Sequence, residues 1–116
     1  MATADDVERI ALGLPQTTER QSWGNRAWRV ADKLFVWERP LGKKDIAALG
    51  DRAPDGLVYA AHTADEGVKL ALIADNPAIY FTTPHFNGYP AVLFELERMS
   101  VAELTELITD AWLARA

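Results

Sequence analysis

The sequence predicts a single α+β domain, a twisted antiparallel sheet with its helices gathered mainly on one side. Three observations predict it. The chain has 116 residues, 49% hydrophobic and 25% charged, the size and balance of one soluble globular domain and too few residues for two. Three segments open with a helix-capping signature and continue as an apolar pattern, while five show strand-like alternation or enrichment in β-branched and aromatic residues. In chain order these read α-β-β-β-α-β-β-α, and the short connections imply antiparallel neighbours.

Thr3-Ala4-Asp5-Asp6 resembles a capping box, with acids facing the positive end of the helix dipole. Val7, Ile10, Ala11 and Leu14 then recur at i, i+3, i+4 and i+7, and Pro15 stops the helix, so it runs from about residue 4 to 13. Residues 26–39 (RAWRVADKLFVWER) read as a hairpin. Trp28 and Val30 point one way, with Ala27, Arg29 and Ala31 the other; Leu34 and Val36 alternate with Phe35 and Trp37. Its turn, near Ala31-Asp32, lacks glycine. Trp28 and Trp37 are expected across the hairpin from one another or nearby. Pro40 and Gly42 end the second strand, and Lys43–Ala53 is expected to be a mixed loop with at most one helical turn.

Leu57–His62 (LVYAAH) is the third strand. Thr63-Ala64-Asp65-Glu66 fits a capping box with Thr63 as cap, opening a helix from Asp65 to about Asp75 that Asn76-Pro77 stops. Ile79–Thr83 and Ala91–Leu96 are the fourth and fifth strands. Between them, FTTPHFNGYP carries the Asn87-Gly88 turn signal, and Pro84 and Pro90 mark where ladder pairing stops. Ser100-Val101-Ala102-Glu103 opens the last helix, with Val101, Leu104, Leu107, Ile108, Ala111 and Trp112 on one face.

Composition excludes several functions. There is no cysteine, hence no disulfide, thiolate metal site or cysteine nucleophile. The longest aliphatic run, Leu70–Ala74, is far too short for a bilayer, and the acidic N-terminus is unlike a signal peptide; the chain reads as cytoplasmic. Net charge is −5, against a strongly nucleic-acid-binding chain. Yet residues 20–52 hold eight basic side chains against four acidic ones, an asymmetry that marks either a surface for an anionic partner or strands exposing bases while helices expose acids.

Several short motifs then coincide. Leu14-Pro15 closes the first helix; Trp23-Gly24 precedes Ala27-Trp28-Arg29-Val30; Lys33 and Phe35 follow. Thr83-Pro84-His85-Phe86 and Gly88-Tyr89-Pro90 precede a strand, and Ala111-Trp112 sits in the last helix. Together, over about residues 7–114, they resemble the MmcQ/YjbR family of small bacterial proteins. The resemblance implies a CyaY-like α+β fold, related in shape to the double-wing domain of a phage transcription activator. It also implies DNA binding, the label such proteins commonly carry by fold analogy.

Catalytic chemistry has little to build on. The only histidines are His62 and His85 and the only serines Ser22 and Ser100, and no nucleophile, phosphate-loop or metalloprotease motif is present. His62 with Asp65 and Glu66 has metal-competent ligand types, but the capping box already accounts for Glu66. No enzyme activity, cofactor or metal is therefore expected. His85 either contacts a phosphate, carboxylate or base, or locks its loop through a backbone carbonyl, with Phe86 and Tyr89 as anchors. The aromatics among Arg26, Arg29, Lys33 and Arg39 either stack on bases beside phosphate-binding cations or carry those cations as intramolecular cation–π partners. Two functions remain open. One is a nucleic-acid module contacting DNA through Trp23, Arg26, Arg29, Lys33, Arg39, Lys43, Lys44 and His85. The other is a protein- or small-ligand-binding domain using the aromatic hairpin and the 83–90 loop. Either is expected without membrane association, as a monomer or weak homodimer.

Overall fold

The computed structural model describes all 116 residues. Its elements are α1 (Ala4–Leu12), β1 (Thr17–Ser22), β2 (Asn25–Val30), β3 (Lys33–Glu38), α2 (Lys43–Leu49), β4 (Val58–His62), α3 (Glu66–Asp75), β5 (Tyr80–Phe81), β6 (Ala91–Glu95) and α4 (Val101–Arg115), with 3₁₀ turns at Gly50–Arg52, Pro84–Phe86 and Leu96–Arg98. The strands form one six-stranded antiparallel sheet in the order β1-β2-β3-β4-β6-β5.

One face of the sheet carries the main core. Alternation along the central strands sends Tyr59 and Ala61 of β4, and Val92 and Phe94 of β6, toward α1 and α4. They meet Val7, Ile10 and Ala11 of α1 and Leu104, Leu107, Ile108 and Ala111 of α4 in a cluster of 20 buried residues. Both helices begin as their sequences require. Thr3 Oγ1 accepts from Asp6 N–H and the Asp6 carboxylate accepts from Thr3 N–H; Ser100 and Glu103 do the same for α4.

The opposite face is only partly covered. Val58, Ala60, Ala91 and Leu93 form a smaller buried cluster with Phe86, which the 83–90 loop lays over the sheet, and Trp37, Leu41 and Phe81 pack against it. This face is open beyond Trp37, toward the β2–β3 hairpin.

Six expectations are corrected. Thr17–Ser22 is a strand that sequence reading missed: TTERQS has no apolar alternation because it is an edge strand, formed by pairing with β2 from Thr17↔Val30 to Ser22↔Asn25. Lys43–Leu49 is a two-turn helix rather than a mixed loop, its start held by the Asp45 carboxylate accepting from Gly42 N–H at 3.0 Å. Asp65, not Thr63, caps α3, accepting from Val68 N–H at 2.9 Å; Thr63 is buried and donates its hydroxyl to the Asp65 carbonyl. The fourth predicted strand shrinks to Tyr80–Phe81. A bulge in the β2–β3 ladder sends both Phe35 and Val36 into the core, so the alternation expected there breaks. Trp28 pairs with Val36 and Trp37 with Ala27, which puts the two tryptophans on opposite faces.

Candidate functional site

Two glycine-poor hairpin turns shape the open face. Between β1 and β2, Trp23 (φ 55°) and Gly24 (φ 80°) both take left-handed backbone, as a tight two-residue turn requires. Between β2 and β3 the same geometry falls on Ala31 (φ 48°) and Asp32 (φ 66°). Left-handed backbone strains any residue with a Cβ, and a bulky one most. Trp23 combines that strain with 99% exposure. Folding alone rewards neither, so the pairing points to a surface role.

Across from this turn lies the 83–90 loop. Pro84–Phe86 is one 3₁₀ turn. A second turn follows at Asn87-Gly88, where only Gly88 is left-handed and Tyr89 N–H bonds the Phe86 carbonyl at 3.0 Å. Lys69 of α3 fixes the loop from beneath. Its side chain is fully buried, and its ammonium donates to the Phe86 carbonyl and, at 2.9 Å, to the Tyr89 carbonyl, with Glu66 at 3.8 Å. Burial pushes its pKa down. Sequence reading passed over Lys69; the available signal was a lysine among Val68, Leu70, Leu72 and Ile73.

The loop and the hairpin enclose a groove of about 540 Å³, lined by Trp23, Asn25, Leu34, Trp37, Glu38, Arg39, Pro40, His85, Phe86 and Tyr89, with Ser22 at its margin. Rings cluster along it. Trp37 lies 5.5 Å from His62 and 6.5 Å from Phe86, and Phe86 lies 6.1 Å from Tyr89. His62, on β4, is 4% exposed and meets the Tyr89 hydroxyl through Nε2 at 3.2 Å. Burial, helped by the nearby Arg115 charge, pushes its pKa down to about 4, so it is neutral at pH 7. His62 therefore braces the groove wall.

The eight expected contact residues divide. Trp23, Arg39 and His85 line the groove. Arg29 pairs with Leu34, a groove residue, and so shares its face. Lys33 is exposed at the start of β3, and Lys43 and Lys44 are exposed in the first turn of α2; none of these four cations, Arg29 included, forms an ion pair. Arg26 does not belong to this surface. It lies on the helix-covered side, 2.8 Å from Glu19 and 3.0 Å from Glu8, with its guanidinium over Trp28. Those carboxylates raise its pKa further, and Arg26 in turn holds Glu19 below the usual carboxylate range. Arg39 is half-compensated: Asp45 lies at 3.4 Å and the guanidinium sits 5.3 Å from the centre of the Phe86 ring. The cation–π alternative thus describes Arg26 and Arg39. Trp37, Phe86 and Tyr89 supply most of the apolar wall, a role that strand alternation alone did not distinguish from packing.

No helix is long and apolar enough to cross a membrane.

A family model described as YjbR matches residues 12–114. Two mycobacterial proteins, "Uncharacterized protein Rv2570" of Mycobacterium tuberculosis (strain ATCC 25618 / H37Rv) and "Uncharacterized protein Mb2600" of Mycobacterium bovis, are each 55% identical over 119 residues, covering 100% of this chain and 90% of their own. Among solved structures, the crystal structure of Deinococcus radiodurans protein DR2400, with family-model domain DUF419, is similar at a TM-score of 0.72 and 19% identity, over 97% of this chain and 78% of that one. That likeness shows the fold.

Proposed function

The chain belongs to the YjbR family, and from that premise we propose that it is a non-enzymatic binding module for single-stranded DNA, seated in the aromatic groove of the open sheet face. The observation that carries the reading is Trp23: a fully exposed ring on strained backbone, facing a groove whose wall is Trp37, His85, Phe86 and Tyr89. Unpaired bases stack on such rings, at about 1–3 kcal/mol per base, whatever their sequence. Arg29, on the groove's face, and the exposed Lys33, Lys43 and Lys44 form no ion pair and suit phosphates. Duplex DNA fits less well. Its binding depends on many phosphate contacts, and here Arg26 is withdrawn, Arg39 is half-compensated and the net charge is −5.

A second reading rests on Glu38 and Asp45. The Glu38 carboxylate turns from the groove to accept from Arg26 N–H at 2.6 Å and from the Tyr59 hydroxyl, and Asp45 offsets Arg39, leaving the groove itself close to electroneutral. A neutral aromatic ligand, such as a peptide side chain or a small planar molecule, suits that balance.

Anisotropy of a labelled thymidine oligonucleotide at low salt separates the readings. The expected result is single-strand binding that exceeds duplex binding, weakens with salt, and falls about 5- to 100-fold in Trp23→Asn, the loss of roughly one stacked base. Asparagine suits the left-handed turn better than tryptophan, so this variant should be as stable as the parent or more so. Absence of single-strand binding at low salt, or binding indifferent to Trp23, refutes the proposal. A melting-temperature rise with small aromatic ligands in that event supports the second reading.

A further inference from the structure

On the helix-covered side, away from the aromatic groove, α3 and α4 do not close on each other. They leave a cavity of about 550 Å³, large enough for a small organic ligand. Its floor is apolar, formed by Val68 and Leu72 of α3 and Leu107 of α4. Its rim is acidic. Glu103, Glu106 and Asp110 occupy i, i+3 and i+7 on α4, hence one helix face. Glu103 is occupied, since its carboxylate accepts from Ser100 N–H at 3.0 Å. Glu106 and Asp110 form neither hydrogen bond nor ion pair.

A second feature points the same way independently. Tyr80 of β5 is 8% exposed, lines the cavity, and its hydroxyl makes no hydrogen bond within the chain. The ring is buried while the hydroxyl oxygen itself opens into the cavity, where a ligand can be its partner. Burial, with the charges of Glu103 and Glu106, pushes its pKa up to about 12, so it remains a neutral phenol able to accept one hydrogen bond and donate another. No Lys or Arg lines the cavity, and its one imidazole, His62, is uncharged at pH 7.

We propose that this cavity is a binding site for a small amphipathic amine, its apolar body on Val68, Leu72 and Leu107 and its ammonium donating to the Tyr80 hydroxyl and the Glu106 and Asp110 carboxylates. An ammonium supplies the donors and the charge that this rim lacks, and an apolar body fills space that water fills poorly. The site does not rest on the DNA reading: it shares no lining residue with the groove, the two meeting only through His62, which braces Tyr89.

The test is a nuclear magnetic resonance titration of the full chain with phenethylamine, alongside phenethyl alcohol as its uncharged analogue. The expected result is that the amine shifts amide signals within residues 68–72 and 107–114 and binds at least tenfold more tightly than the alcohol. E106Q/D110N, two substitutions on the exposed face of α4, removes that preference, and Tyr80→Phe weakens the amine severalfold. No shift at α3 and α4, equal affinities for amine and alcohol, or unchanged amine binding by E106Q/D110N overturns the proposal.

Discussion

Lowering the pH from 7 to 5 should destabilise this protein chiefly through His62. The imidazole is 4% exposed, packed 5.5 Å from Trp37 and bonded to the Tyr89 hydroxyl, and burial depresses its pKa to about 4 from an ordinary 6.5. In the unfolded chain it takes up its proton near pH 6.5, whereas in the fold it resists down to about 4. The unfolded state therefore binds more protons between those values, and stability falls as pH falls. Above pH 6.5 the full stability is present; between pH 7 and 5 the loss is about 2 kcal/mol, nearing 3 kcal/mol by pH 4. Urea unfolding at pH 7, 6 and 5 measures it. His62→Phe, of similar shape and without titration, should flatten the slope over that range, while carboxylates affect both proteins alike. The partly exposed Tyr89 hydroxyl can turn to water in the variant. Equal slopes for parent and His62→Phe, or no slope in the parent, would show that His62 is not buried in its neutral form.

Three other outcomes follow from the same structure. Lys69→Met should cost about 2–4 kcal/mol, because it strands two carbonyls beneath the 83–90 loop; hydrogen exchange at residues 86–91 should rise with it, and unchanged stability and exchange would contradict the pinning role. Glu19→Ala removes a partner shared by Arg26 and the buried Trp28 indole and should cost about 1–3 kcal/mol, whereas Arg20→Ala, losing only the exposed pair with Asp32, should stay within about 0.5 kcal/mol by urea unfolding. Ala31→Asn with Asp32→Gly places favoured residues in a left-handed turn and should stabilise by roughly 0.5–1 kcal/mol, read as a higher melting temperature.

Legibility tracked how locally each feature is encoded. α1 and α4 were readable because their capping boxes and apolar stripes are contiguous signals. β1 was not: six polar residues become a strand only through their partner β2. The Phe35–Val36 bulge is set by packing on α4 and β4, which no alternation reports. The Asp65 cap was missed because Thr63 matched the capping pattern equally well, and the strand's end at His62 decided between them. At the site, Trp23, Arg39 and His85 were readable as aromatic or charged residues near punctuated turns. Arg26 was misplaced because its two carboxylate partners lie seven and eighteen positions away, one on a helix. Lys69 and Trp37 acquire their roles only through tertiary contacts.

The four tryptophan indole N–H groups make the most direct probe of the groove as the ligand seat. Trp28 is tied to Glu19 and Trp112 to the Pro15 carbonyl, both outside the groove, while Trp23 and Trp37 line it with no partner for theirs. In a low-salt titration with a thymidine oligonucleotide, the indole signals of Trp23 and Trp37 should move while those of Trp28 and Trp112 stay fixed. Movement confined to Trp28 or Trp112, or none at all, would contradict the account.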